Sequence, residues 1–198
     1  PRDGRILWNT QVLEQQGEEA PRIHRKNSHA SPTPIASEDR LFVHFGHHGT
    51  ACLDLDGNVV WRQTSLQYKP VHGNGGSPIL VDGLLVFSID GAEQTKVVAL
   101  DAETGNVAWQ TDRNSTASKK FSFSTPLAIE VGGRTLVVSP GSDMVCALDA
   151  GTGREVWRVT YDGYSVIPRP VFGHGLVFVC TGYNRPSLLA IDPTGTGD

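Results

Sequence analysis

The chain has 198 residues, 38% of them hydrophobic and 19% charged, an ordinary balance for a globular protein. Its 17 Lys+Arg against 21 Asp+Glu give a net charge of -4 with no block of like charge, which speaks against nucleic acid as the main partner. No stretch approaches the ~20 consecutive apolar residues of a membrane helix, so no membrane span is predicted. With 22 Gly, 12 Pro and one Met, the chain turns often and has few long helices. Cys52, Cys146 and Cys180 are odd in number, far apart and set in apolar runs, which predicts buried free thiols rather than a disulfide framework. No signal peptide is visible. The chain opens on Pro1 rather than Met, which leaves room for a leader removed or lying outside it.

In chain order, residues 1–10 read as the last strand of a preceding unit, closing on Trp8. Unit 31–61 opens with "SPTPIASED", continues with "RLFVHFG" and ends at Trp61 after "CLDLDG". Unit 77–109 repeats the order with "SPILVDG", "LLVFSID" and "ALDAETGNVAW". Unit 125–157 does so with "TPLAIEVGG", "TLVVSPG" and "ALDAGTGREVW". Unit 169–198 has "RPVFGHG", "GLVFVCTG" and "LAIDPTG", and is incomplete. Lys119 and Lys120, ahead of "FSFS", read as the solvated entry to a strand.

The Trp residues at 8, 61, 109 and 157 are spaced by 53, 48 and 48, each four residues after a Gly. Short apolar runs bounded by Gly, Pro and Asp are strands. They lack a clean alternation of polar and apolar positions, so each should be buried on both faces. In the turn, Asp54, Asp101, Asp149 and Asp192 can accept backbone N–H bonds, while Gly57, Gly105 and Gly153 supply positive φ. Trp61, Trp109 and Trp157 then project a large apolar ring from the outgoing strand. A four-stranded unit cannot cover both its own faces, so neighbouring units must. Four short strands at this period predict an all-β fold, a β-propeller of four-stranded antiparallel blades, with residues 1–198 as one partial domain.

These phrases resemble the tryptophan-docking repeat of the quinoprotein-like (PQQ-like) β-propellers. That group holds the pyrroloquinoline-quinone-dependent alcohol dehydrogenases and, as a more distant relative, the lipoprotein that scaffolds outer-membrane protein assembly. "HRKNSHASPTP", "FGHHGTACLDLDGNVVW" and "AIDPTGTGD" are most similar to a group of exported bacterial propeller-repeat proteins labelled PQQ-binding-like. The resemblance implies a ring of seven or eight blades, of which this chain carries about four. The remainder would come from a longer chain or from a second copy. It also implies a periplasmic or otherwise exported place.

In the dehydrogenases the resemblance further implies a disulfide between adjacent cysteines over the quinone, a Trp beneath it, calcium ligands of Glu/Asn/Asp type and an Asp base. Here no two cysteines are adjacent, every Trp occupies the docking position after Gly, and no acidic pair stands out as a calcium site. No cofactor, no catalytic residue and no metal is predicted. Function is expected on the loops of one propeller face: Gln11–Ala30, Gln63–Gly76, Thr111–Ser124 and Thr160–Pro168, with Gly46–Thr50, Asp90–Thr95, Pro140–Asp143 and Thr181–Ser187. Six of the seven His residues fall between 24 and 72. His24, His29, His47, His48 and His72 are binding candidates, and His47 and His48 the weak candidates for a metal, without a metal-binding motif. Asn27 suits a loop-holding turn. Tyr183, Asn184 and Arg185 form a loop tip of the composition that interfaces favour. The resulting expectation is a non-catalytic scaffold or recognition domain that binds a protein or small ligand. The alternative is a PQQ- or metal-dependent oxidoreductase with its site partly outside this chain.

Overall fold

Each apolar run becomes a strand of a sheet whose members follow one another in chain order. The computed structural model describes residues 3–15, 24, 25 and 27–197. Sheet 1 holds β1 (Ile35–Ala36), β2 (Arg40–His44), β3 (Thr50–Asp54) and β4 (Val59–Gln63). Sheet 2 holds β5 (Ile79–Val81), β6 (Leu84–Asp90), β7 (Thr95–Asp101) and β8 (Val107–Asp112). Sheet 3 holds β9 (Leu127–Val131), β10 (Arg134–Gly141), β11 (Met144–Asp149) and β12 (Glu155–Thr160). Sheet 4 has three strands, β13 (Val171–Gly173), β14 (Leu176–Cys180) and β15 (Leu188–Ile191). Every pairing between these strands is antiparallel. The arrangement is that of propeller blades.

The turns explain the repeat. Asp101 Oδ1 accepts the Thr104 N–H and hydroxyl at 2.8 Å each, and Asp149 Oδ1 accepts those of Thr152 at 3.0 and 2.7 Å. Asp192 does the same with Thr194, whereas Asp54 takes the N–H groups of Asp56 and Asn58. Immediately before each turn the register slips by one residue, at Cys52/Leu53, Ala99/Leu100 and Ala147/Leu148. Such a bulge twists the strand locally and re-aims the side chain opposite it. Here that is the Trp: Trp61 faces Cys52, Trp109 faces Ala99 and Trp157 faces Ala147.

Three of the Trp rings reach the next sheet and lie on its turn. Trp8, Trp61 and Trp109 donate Nε1–H to the carbonyls of Leu55, Ala102 and Ala150 at 3.0, 2.9 and 2.9 Å. Each ring covers a glycine, Gly57, Gly105 or Gly153, where a Cβ would come within 2.6 Å of ring carbons. Trp157 is buried among Val177, Val179 and Ile191 of sheet 4, but its Nε1 has no partner among the described residues.

Between sheets the side chains interleave. Leu85, Phe87 and Ile89 of β6 point to Phe42 and Cys52 of sheet 1, while Val86 between them points to Val137 and Cys146 of sheet 3. A second tie joins sheets 2 and 3. Arg113, fully buried, holds both carboxylate oxygens of Asp90 at 2.6 Å and donates to the hydroxyls of Ser88 and Ser139. Burial disfavours both charges. For Arg113 the burial penalty is outweighed by the charge and hydrogen bonds of Asp90, which keep the guanidinium ionised and its pKa above the ordinary value.

Four expectations need correction. The described part of residues 1–10 forms no strand: the Trp8 ring and the Thr10 hydroxyl bond the first turn through side chains, and among the described residues no strand pairs with its backbone. Cys180 is exposed, unlike Cys52 and Cys146, since it ends β14 in the outermost sheet. Burial on both faces fails at the ends of the arc, where Val171 and Leu188 are 63% and 68% exposed with no further sheet against them. "FSFS" is not the start of a strand: residues 113–126 run outside any strand as the connection to β9.

Candidate functional site

The long connections meet on one face and tie each sheet to the next. Asn27 donates from Nδ2 to the carbonyls of His72 (2.9 Å) and Asn74 (3.3 Å). Ser31 in turn donates its hydroxyl to Asn27 Oδ1. Thr33 N–H donates to Ser77 Oγ, and Ser77 N–H to Thr125 Oγ1, both at 2.9 Å. The loop before β9 and the loop before β13 exchange backbone bonds, Phe123 N to Val166 O at 2.8 Å and Ser165 N to Phe121 O at 3.1 Å. The buried hydroxyls of Ser122 and Ser124 bond Val166 O and Pro168 O. In an extended segment, alternate side chains point to opposite sides. With Ser122 and Ser124 turned to the neighbouring loop, Phe121 and Phe123 are left to face the open groove.

That groove, about 580 Å³, is walled by aromatic rings from successive loops, with Asn27, Ser165 and Lys119 as polar neighbours. His72 lies edge-on to Phe121 with centroids 5.3 Å apart, Phe121 edge-on to Tyr164 at 5.7 Å, and Tyr164 meets Tyr183 at 5.5 Å. Phe123 packs beside Phe121 at 5.9 Å. Lys119 sits 4.1 Å from the Tyr164 centroid and donates Nζ–H to its hydroxyl at 2.9 Å. Among the described residues no carboxylate lies within ion-pair distance of Lys119.

A second cleft of about 500 Å³ adjoins the first and shares Asn27 as a wall; His24, Ser28, His29, His47, Tyr68 and Lys69 line it. The His24 and His72 rings, 4.6 Å apart, stand where the two clefts meet. His48 Nε2 and His29 Nδ1 share a hydrogen bond of 2.8 Å, and His47 stacks on His48 at 3.9 Å. Burial, followed by the charges of His47 and His29, pushes the His48 pKa down to about 4; burial and His29 lower that of His47. His47 and His48 are therefore neutral at physiological pH. His48 itself opens into a smaller cleft beside Thr10–Leu13, about 380 Å³.

The structure therefore brings Asn27, His72 and Tyr183 to the first cleft and His24, Asn27, His29 and His47 to the second. His48 lies behind His29, and Asn184 and Arg185 line a separate small hollow with Asp162. His44 is a core residue, its Nδ1 2.8 Å from Thr50 Oγ1 and its ring against Phe87. Sequence reasoning missed Phe121, Phe123, Tyr164 and Lys119. The alternation of Phe and Ser just before a Thr-Pro step was the signal for the first two.

The quinone-and-metal arrangement does not fit the residues of this arc. Among the described residues, no group of three or more His, Cys, Asp or Glu is placed to hold a metal. Trp8, Trp61 and Trp109 are spent on glycines of adjoining turns, Trp157 lies in the core between sheets 3 and 4, and the three cysteines are unpaired. No step is derived through such a group.

Blades tied by Trp–Gly contacts, with an aromatic groove on their shared loop face, define the chain as an arc of a quinoprotein-like β-propeller. Residues 1–198 match the family described as "Outer membrane protein assembly factor BamB", and the chain belongs to that family. Among curated proteins it is similar to the polyvinylalcohol dehydrogenase of a Pseudomonas species, 30% identical over 56% of this chain and 17% of that protein. It is also similar to subunit 1 of the cytochrome c methanol dehydrogenase of Methylobacterium organophilum, 26% identical over 66% of this chain and 23% of that protein. The chain thus spans less than a quarter of the length of these relatives. Among solved structures, BamB from Moraxella catarrhalis aligns with a TM-score of 0.55 at 18% identity, over 84% of this chain and 47% of that one. The quinohemoprotein alcohol dehydrogenase ADHIIG of Pseudomonas putida HK5 gives 0.65 at 18% identity, over 84% and 33%. At that identity the likeness concerns the fold.

Proposed function

We propose that this arc is the recognition part of an exported, non-catalytic propeller scaffold, holding a protein or small ligand in the groove of its long-loop face. The observation that carries the reading is the wall of His72, Phe121, Tyr164 and Tyr183, four rings from four separate loops. Loops held by a rigid scaffold are where binding residues concentrate, and aromatic residues are enriched in interfaces. The family's description as an assembly factor and its resemblance to exported proteins support a scaffold at the cell envelope. Trp docking on the next turn is its repeating staple. Further blades, from a longer chain or a second copy, cover the apolar ends of the arc.

The names of the curated relatives favour a second reading, an oxidoreductase whose site lies partly outside this chain. Two measurements on the purified protein separate the readings. Titration with the aromatic anion anilinonaphthalene sulfonate should give saturable fluorescence, weakened about five- to tenfold by Tyr164→Ala or Phe121→Ala, the order of one aromatic contact. Phe172→Ala, at the exposed end of the arc, is the control and should change nothing. Equal loss in all three variants would reject the groove, and visible absorbance from a bound quinone would establish the oxidoreductase.

A further inference from the structure

We infer that the ligand of this face is an acidic peptide segment bearing aromatic side chains, lying extended across both clefts. The inference rests on the proposed binding role of the loop face and goes on to name its partner. Charge is the first argument. The chain is acidic overall, with 21 Asp+Glu against 17 Lys+Arg. Yet the described lining of the two clefts contains Lys69 and Lys119 and no Asp or Glu. Among the described residues Lys119 has a tyrosine hydroxyl and ring for company but no counter-ion. Lys69 pairs with Glu93 at 3.1 Å, with the two side chains 78% and 70% exposed. An exposed pair of this kind is worth little, so a ligand carboxylate can replace Glu93 at small cost. Electrostatic complementarity of this sort chooses partners by charge sign.

Ring geometry is the second argument. A planar cofactor or a sugar ring needs a flat platform. Here the His72–Phe121 and Phe121–Tyr164 planes stand at 75° and 82° to each other. The Phe121–Phe123 and Tyr164–Tyr183 planes are tilted by 45° and 38°, so the wall presents ring edges and faces in several directions, against which separate aromatic side chains can pack. Size and placement are the third. Clefts of about 580 and 500 Å³ each match a small-ligand site, and they lie side by side with Asn27 as their shared wall. A chain that presents side chains along its length uses both; a single compact ligand uses one.

The test is fluorescence anisotropy of the full-length protein with a fluorescein-labelled heptapeptide carrying Phe, Glu, Tyr and Glu at alternate positions with Ser between them, so that all four share one face of an extended chain. The controls are the same peptide with Lys for every Glu and one with Ala for every aromatic residue. The acidic aromatic peptide should bind saturably and more weakly at higher salt. Lys119→Glu and Tyr164→Ala should each weaken it at least about tenfold, the order seen when one partner of a charge pair or an aromatic anchor is lost. Lys119→Glu should also gain affinity for the basic peptide, a readout that a folding defect does not give. Equal binding of the basic peptide overturns the inference. So does full displacement by an equimolar small aromatic acid, benzene-1,3,5-tricarboxylate. If no peptide binds while anilinonaphthalene sulfonate does, the partner class is wrong and the binding face stands; if neither binds, both fall.

Discussion

Gly153→Ala set beside Gly133→Ala separates what the Trp–Gly contact contributes from what backbone conformation alone requires. Both glycines have positive φ, +70° and +74°. A Cβ at Gly133 meets nothing within 4 Å, whereas at Gly153 it lands 2.5 Å from Trp109 Cε3 and 2.8 Å from Thr111 Oγ1. The left-handed conformation costs an alanine roughly 1–2 kcal/mol, and reduced freedom of the unfolded chain returns about 0.4–1 of that. Gly133→Ala should therefore destabilise by about 1 kcal/mol. Gly153→Ala carries that cost, about 1–3 kcal/mol for overpacking, and about 1 for the bond from Trp109 to Ala150, for a total near 3–5. Urea denaturation followed by intrinsic fluorescence measures both. In a Trp109→Ala background, itself about 3–5 kcal/mol less stable, the Gly153→Ala cost should shrink to about 1. Costs for the two glycines that agree within about 0.5 kcal/mol, ordinary scatter between sites, would refute a ring seated on the turn as the source of blade-to-blade cohesion.

The remaining expectations concern separate parts of the molecule. Arg113→Met leaves the buried Asp90 without its partner and should cost about 3–5 kcal/mol in the same urea assay; a loss below about 1 would mean that the pair contributes no more than a surface one. Burial pushes His44 down to about 3, so between pH 6.5 and 4 the unfolded chain binds a proton that the folded chain refuses. Its contribution is fully present above about pH 6.5 and is lost as pH falls, by up to about 1.4 kcal/mol per pH unit; His44→Asn should flatten the profile by that slope, and an unchanged slope contradicts the assignment. Cys180 should react with a thiol reagent in the folded protein while Cys52 and Cys146 react only on unfolding, which counting modified thiols by mass before and after denaturation decides. A Cβ on Gly75 would come 3.0 Å from Phe123 Cβ. Gly75→Ala should therefore weaken anilinonaphthalene sulfonate binding several-fold while costing about 1 kcal/mol of stability, and unchanged affinity would place Phe123 outside the binding surface.

The blades were legible because their causes are local. Asp101 binds Thr104, and Asp149 binds Thr152, within three residues, so the turn is written where it acts. The Trp four residues beyond the glycine follows from the same turn. Less legible was anything decided between sheets. Asp90 and Arg113 are 23 residues apart, and Ser139 a further 26, so nothing in the spacing announces their bond. Cys180 reads like Cys52 in its apolar run; whether a further sheet covers it is a property of the assembly and not of the run.

The site was half legible, and the repeat itself held the missing half. Counting back from the Ser-Pro, Thr-Pro and Arg-Pro steps, the fifth residue is Asn27, Gly73, Phe121 and Ser165, and the third is His29, Gly75, Phe123 and Ile167. Where the second unit carries glycine at these positions, its neighbours carry bulk. A Cβ on Gly73 would lie 2.8 Å from Asn27 Nδ2, and one on Gly75 3.0 Å from Phe123. The glycines thus admit side chains from the adjoining loops on either side of them. Positions equivalent in the fold have diverged into large and small partners that fit one another. A scaffold needs the same residue type at equivalent positions, as it has in Asp101 and Asp149 or in Gly105 and Gly153. Divergence on the loop face, in register with turns that keep their Asp and Gly, is what the proposed recognition role calls for.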